Sequence, residues 1–172
     1  MPSLKKVAKL LLSYAAIPYV KINNSKSSMN RGVVFPLILH DIPRHQTVYL
    51  KELLIQLNKE NNFLDPEDFI SVIRGNLNIT DTHGMLTFDD GFYSNYSFAK
   101  EVLGPLGIKA IFFVVSEFID SYNNNRNIQE EFIKQNICLG EYPPNMNINQ
   151  MQPMSWENLS ELVNMGHTIG SH

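Results

Sequence analysis

Apolar and polar positions along the chain switch between a period of two and a period near 3.6, and the switches mark out a series of strands and helices. Gly32 to Leu39 is apolar at nearly every position, the pattern of a strand covered on both faces as in parallel sheets. Pro36 has no amide donor, so this strand is expected at a sheet edge or with a bulge. Val48 to Lys59 places apolar residues at 50, 53, 54 and 57, one stripe of a helix. Asp65-Pro66-Glu67-Asp68 starts a second helix: an N-cap acid, a proline at the first helical position, and acids that suit the helix dipole. Gly75 ends it.

Met85 to Phe88 is the next strand, and Ser94 begins a helix through Leu103 that Gly104-Pro105 is expected to close. Ile108 to Val115 is a strong strand, built almost entirely of β-formers. Residues 120–153 differ in character, with Asn123-Asn124-Asn125, Pro143-Pro144 and scattered Asn and Gln around one helix, Ile128 to Ile137. They read as an insertion across one face of the domain, a kind of excursion that often shapes a cleft. Ser155-Trp156-Glu157 caps a last helix with apolar positions at 156, 159, 162, 163 and 165, ended by Gly166. A short segment then leads to His172.

Strands alternating with helices imply an α/β fold with a parallel sheet. About four strands are visible, and a closed barrel needs roughly 200 residues or more. The expected architecture is therefore a (β/α) barrel-like fold that is incomplete, spanning 32–172 behind a lead-in of residues 1–31.

Composition narrows the classes. At 172 residues, 44% hydrophobic and 18% charged, the chain reads as one folded, soluble domain. The net charge of −3, with no recurring basic stripe, gives no reason to expect nucleic acid. Cys138 is the single cysteine, which excludes an internal disulfide and a thiolate cluster. Residues 4–20 carry Lys5, Lys6 and then Leu10-Leu11-Leu12, but Lys9 and Tyr14 interrupt the run and no small-x-small cleavage site follows. The run falls short of the roughly 18 apolar residues of a membrane span. An amphipathic lead-in helix, followed by a polar linker at 23–30, is favoured over a targeting or membrane-docking segment, and the expectation leans to a cytoplasmic protein. Nothing in the sequence fixes an oligomeric state.

The candidate chemistry sits in Leu86-Thr87-Phe88-Asp89-Asp90-Gly91. Two carboxylates forced together at a strand end repel, and desolvation raises the pKa of at least one of them. A bound cation relieves that repulsion, with one carboxylate as ligand and the other as base. In parallel sheets sites gather where strands reach their carboxyl ends, and His40-Asp41, Asp89-Asp90 and Ser171-His172 all fall there. Carboxylate and imidazole are both good ligands for zinc or a similar ion, but a catalytic site wants three protein ligands and only two are in view. His167 precedes His172 by an odd number of residues in an extended segment, so it points to the other face. His45, His83 and His167 read as structural or exposed, Trp156 as a core residue, and Cys138 as a small buried hydrophobe.

Thr87-Phe88-Asp89-Asp90-Gly91 resembles the first motif of the polysaccharide deacetylase family, the NodB-homology domain of carbohydrate esterases. Gly166 to His172 is similar to the approach to its second motif, His-Ser/Thr-x-x-His, with His172 as the first histidine. Leu37-Ile38-Leu39-His40 resembles the family's opening strand, Lys109 to Val114 its "K-A-T-F-F-V" strand, and Met154-Ser155-Trp156 its "M-T/S-W" helix start. The resemblance covers about 32–172. It implies a distorted, incomplete (β/α) barrel that removes N-acetyl groups from a sugar or polysaccharide with a divalent metal, zinc first among them. It makes Asp89 the general base, with Asp90 and His172 as metal ligands.

His40 and Asp41 are candidates for the substrate cleft, although a turn after the first strand explains them equally well. The second histidine of the second motif would fall past His172, and the later motifs are not among these residues, so the expectation is the N-terminal part of a deacetylase domain, cut inside the second motif and inactive alone. A catalytically dead carbohydrate-binding or regulatory fragment is the alternative class. A phosphotransfer fold would need a nucleophilic Asp-x-Asp or a lysine at a later strand end, and neither is evident.

Overall fold

Four parallel strands form one sheet in the sequential order β1 (Val33–Leu39), β2 (Thr82–Phe88), β3 (Ala110–Val114) and β4 (Thr168–Ser171). This computed structural model describes residues 32–138, 148 and 151–172. The expected lead-in helix and the linker at 23–30 lie outside the described residues, as do 139–147 and 149–150 of the expected insertion. The helices are α1 (Thr47–Asn61), α2 (Pro66–Ile73), α3 (Tyr93–Phe98), α4 (Ser116–Asp120), α5 (Arg126–Phe132) and α6 (Trp156–Asn164). Sequential parallel order with helical crossovers is the arrangement of a (β/α) barrel wall, and here it is open.

The register explains why the sheet is amphipathic in two senses. Leu39 pairs with Phe88 and Phe88 with Phe112, and this face meets the helices. Phe88 stacks on Phe112 with centroids 4.7 Å apart, over a core that includes Leu54, Phe98, Leu103 and Leu162. The other face carries the layer Ile38, Thr87, Ile111 and Thr168, each opposite the next in register. β2 is buried over its last five residues, whereas β1 is only partly covered. That difference fits β1 as an edge strand among the described residues, the place where Pro36 is tolerated.

Two helix expectations change. The helix after the Asp pair does not close at Gly104-Pro105: α3 runs into a π segment, Ala99–Leu103, and a further turn, Gly104–Leu106. The wider π turn shifts the carbonyl that a proline ring would strike, so Pro105 is accommodated, and Gly107 at φ 68° ends the helix instead. Trp156 does not join the core. It is 53% exposed at the first position of α6, and its Nε1–H donates to Asp120 Oδ1 at 2.8 Å. The core-facing positions of that helix are Leu159 and Leu162, and Trp156 lies off their stripe.

The described part of the 120–153 segment forms α5 from Asn125, whose side chain caps it, and a following π segment, Ile133–Ile137. It builds a second, smaller core of Phe92, Phe118, Ile133 and Met151, against which Phe132, Ile137 and Cys138 pack. Arg126 ties this segment down by donating from Nη1 to Met151 O at 2.7 Å and from Nη2 to Ile148 O. Cys138 is half-buried there, and burial pushes its thiol up.

Candidate active site

Side chains on a strand alternate faces, so residues two apart share one. His40 follows the face of Ile38, Asp89 that of Thr87, and His172 that of Thr168, and these three face residues sit in one layer across β1, β2 and β4. The ladders run one residue past the strands: Asp89 N–H donates to Leu39 O at 2.8 Å, and His172 N–H to Val114 O at 3.0 Å. Parity therefore continues to the strand ends. The outcome is that His40 Nε2 and His172 Nε2 each lie 3.8 Å from Asp89 Oδ2, one on either side.

By the same alternation Asp90 should point to the helix side. It does not, because its backbone adopts φ 75°, the left-handed region that non-glycine residues rarely enter. The turn breaks the alternation and brings Asp90 to the cavity lined by His40 and His172, the histidines on either side of Asp89. Gly91 follows at φ 94°, and a Cβ there would come within 2.8 Å of Ile119 Cδ1. Four backbone hydrogen bonds hold the turn: besides the Asp89 bond, Gly91 N–H closes it onto Asp89 O at 3.0 Å, Val115 N–H reaches Asp90 O at 3.3 Å, and Met154 N–H reaches Gly91 O at 2.9 Å. Asn95, fully buried, adds a side-chain donor to Asp89 O at 3.5 Å.

The cavity holds about 260 Å³ and is lined by His40, Asp90 and His172 on the polar side, and by Val115, Phe132, Asn136 and Ile137 on the other. Asp90 is 6% exposed, and its Oδ2 is buried with no hydrogen-bond partner. Burial holds the Asp90 carboxyl above the ordinary carboxylate range; His40 and His172 oppose this and Asp89 adds to it. Burial likewise raises Asp89, against the pull of the same two histidines. Asp41 lies beside His40 but does not line the cavity. Its carboxylate accepts from Ser94 Oγ at 2.7 Å, and Ser94 Oγ accepts from Ile42 N–H at 3.1 Å. Burial raises Asp41 too, against the Ser94 hydrogen bond.

Among the described residues no three His, Cys, Asp or Glu side chains form a group that could hold a metal ion. His167 lies on the helix side: it is 4% exposed, its Nδ1 accepts from Ala110 N–H at 3.1 Å, and its ring meets Phe112 edge-on. Desolvation lowers its pKa to about 4, which keeps it neutral. Asn95, Phe132, Asn136 and Ile137 were not singled out from the sequence. Asn95 sits in the first turn of α3, where a buried amide is invisible to hydrophobic patterning, and the other three come from the inserted segment.

Fold and site together define an α/β barrel wall with carboxylates and histidines gathered at the carboxyl ends of its strands. The family model for polysaccharide deacetylase matches residues 78–172, more than half of the chain, and the chain belongs to that family. Among solved structures it is similar to IcaB from Ammonifex degensii, at 20% identity and a TM-score of 0.55, over 83% of this chain and 53% of that one. It is also similar to a de-N-acetylase from Aggregatibacter actinomycetemcomitans, at 19% identity and a TM-score of 0.50, over 83% of this chain and 54% of that one. These likenesses show the shared fold, and the chain spans about half the length of the solved structures it matches. No curated protein matches the chain. Among the described residues no helix is long and apolar enough to cross a membrane.

Proposed function

We propose that this chain carries the base and part of the metal-binding set of a hydrolase that removes N-acetyl groups from amino sugars of a glycan. The observation that carries the reading is the left-handed turn at Asp90, which sets its carboxylate at a cavity lined by His40 and His172, the two histidines that flank Asp89. A strained backbone at a polar cavity is a pattern of functional sites. The buried, partnerless Oδ2 of Asp90 suits a cation, as do the carboxylate and imidazole donors. Asp90 and His172 would hold a divalent metal, zinc by preference of that donor set. Bound there, it would polarise the amide carbonyl and lower the pKa of water.

Asp89 supplies the base. Its Oδ2 takes a proton from the attacking water, and burial makes it a stronger proton acceptor than an exposed aspartate. Its neighbours His40 and His172 oppose that rise and so favour the ionised form that can accept a proton. Val115, Phe132 and Ile137 give the cavity an apolar wall that excludes water from around the scissile amide. The substrate-facing roles of His40 and Asp41 differ: His40 lines the cavity, and Asp41 serves the loop that places His40 through its bond to Ser94.

Two donors hold zinc weakly, so these 172 residues alone are expected to bind metal with low affinity and to release no acetate. The test is acetate release from a chito-oligosaccharide by the purified chain with and without added zinc. Measurable turnover would overturn the inactivity. In a polypeptide that does turn over, retention of activity by Asp89→Asn would overturn the base assignment.

A further inference from the structure

Trp156 is the only tryptophan of the chain, and the structure sets it on the surface with its indole fixed. An indole that is 53% exposed normally keeps its rotamers; this one is anchored at one edge, because Nε1–H donates to Asp120 Oδ1 at 2.8 Å from the end of α4. The hydrogen bond crosses between two segments far apart in sequence, so it fixes the ring relative to the sheet and not only to its own helix. The start of α6 is itself rigid: Ser155 forms a reciprocal capping box with Asn158, by bonds of 3.2 Å and 3.0 Å.

The position is as informative as the exposure. Residues 152–154 are laced to the catalytic turn: Tyr93 N–H donates to Gln152 O at 2.7 Å, Phe92 bridges Pro153, and Met154 N–H donates to Gly91 O at 2.9 Å. Trp156 lies two residues beyond Met154, a reach of at most about 7 Å along the chain. An exposed, immobilised aromatic ring is thus tied to the glycine beside Asp90. Tyr122, on the short helical turn after Asp120, is exposed as well.

A sugar ring offers an apolar face of C–H groups and a polar rim of hydroxyl and acetamido groups. A fixed indole beside a carboxylate presents the complementary pair, a flat apolar surface and an acceptor. We propose that Trp156, oriented by Asp120, is a stacking platform for a sugar residue neighbouring the one held at Asp89 and Asp90, so that the chain binds an oligosaccharide in preference to a single amino sugar. This rests on the deacetylase reading for its substrate class and adds to it a site outside the cavity.

The single tryptophan makes the test direct. N-acetylchitotetraose and N-acetylglucosamine are titrated against the whole chain, following intrinsic fluorescence and, in parallel, calorimetric heat. The tetramer is expected to shift Trp156 emission and to bind at least about tenfold more tightly than the monomer, the size of one good anchoring contact. Trp156→Ala is expected to lose that advantage, and Trp156→Phe to keep part of it. Asp120→Ala, which keeps the tryptophan but removes the acceptor that orients its indole, covers the case in which Trp156→Ala does not fold, and is expected to weaken the tetramer and not the monomer. Tetramer heat with unchanged emission and unchanged affinity in Asp120→Ala would overturn the platform while leaving the deacetylase reading standing. Tetramer binding through Trp156 by a glycan lacking every N-acetyl group, at equal affinity, would uphold the platform and remove its link to that reading. Absence of any heat or emission change with the tetramer overturns the platform outright.

Discussion

Asp90 is a residue whose removal should make the protein more stable. Its Oδ2 is buried without a partner, the residue is 6% exposed, and the charge of Asp89, adjacent in sequence, raises its carboxyl further. Asp90→Asn removes the charge and keeps a residue type that tolerates the left-handed backbone. A buried polar group without a partner costs about 1–3 kcal/mol and a charged one more, so removing the charge is expected to gain about 1–3 kcal/mol at neutral pH without metal. Asp90→Gly also relieves roughly 1–2 kcal/mol of backbone strain, but glycine loses about 0.5–1 kcal/mol through unfolded-state entropy, leaving it close to the Asn variant.

Urea unfolding is the assay. With a slope near 2 kcal/mol/M, the midpoint should rise by about 0.5–1.5 M with the slope unchanged. The sign with pH follows from the raised carboxyl: the folded state holds the Asp90 proton more tightly than the unfolded state, whose value is 3.8. Stability of the parent therefore falls as pH rises above 3.8, and the advantage of the variants opens over that window and is small below it. Zinc should reverse the order by stabilising the parent alone. A parent more stable than Asp90→Asn at neutral pH without metal would refute the reasoning, since the carboxylate would then be making a favourable bond.

His167 gives a pH effect of opposite sign. Its pKa falls from 6.5 to about 4 on folding, so its stability is whole above pH 6.5 and is lost as pH falls toward 4, up to about 3 kcal/mol; the acid limb of a urea–pH surface should flatten in His167→Gln. Gly91→Ala should cost about 2–4 kcal/mol, since φ 94° is strained for alanine and its Cβ would meet Ile119, which thermal unfolding will read. Phe112→Ala should cost about 3–5 kcal/mol through the cavity it leaves against Phe88 and His167, again by urea unfolding. Cobalt titration followed by absorbance should show weak binding by the parent and weaker binding by His172→Ala, with Asp89→Asn close to the parent; equal binding in His172→Ala would remove that histidine from the donor set.

Much of the site was legible because strand parity is a strict rule. An odd spacing put His167 and His172 on opposite faces, and the structure has His167 against Phe112 on the helix side and His172 at the cavity. Pro36 announced an edge strand for the same kind of reason, a missing donor. Parity also explains what could not be read. It would send Asp90 away from Asp89, and only a left-handed φ, which no residue pattern specifies for an aspartate, brings it back. The helix through Pro105 was misread because a π turn leaves no signature in spacing until the backbone is seen. Residue type alone points Trp156 to the core, but at the first position of a helix its side chain can leave the apolar stripe, and its hydrogen-bond partner Asp120 lies 36 positions earlier in sequence.

The Asp89-Asp90-Gly91 turn shows how such a conformation persists. A left-handed aspartate in a pliable loop would relax to the extended region and carry its carboxylate with it. Here the amide of Asp89 and the three carbonyls of the turn are engaged by four parts of the fold: Leu39 from β1, Val115 after β3, Met154 before α6, and Asn95 on α3. Relaxing Asp90 would break bonds to several elements at once, so the surrounding structure over-determines the strain and the carboxylates stand in place before any ligand arrives. That order matters for chemistry, because a preorganised charge contributes most when it need not move. It also implies a division of labour: β1 and β4 bring histidines to Asp89 by ordinary ladder geometry, and the strained turn adds Asp90, the one member that regular strand geometry cannot supply.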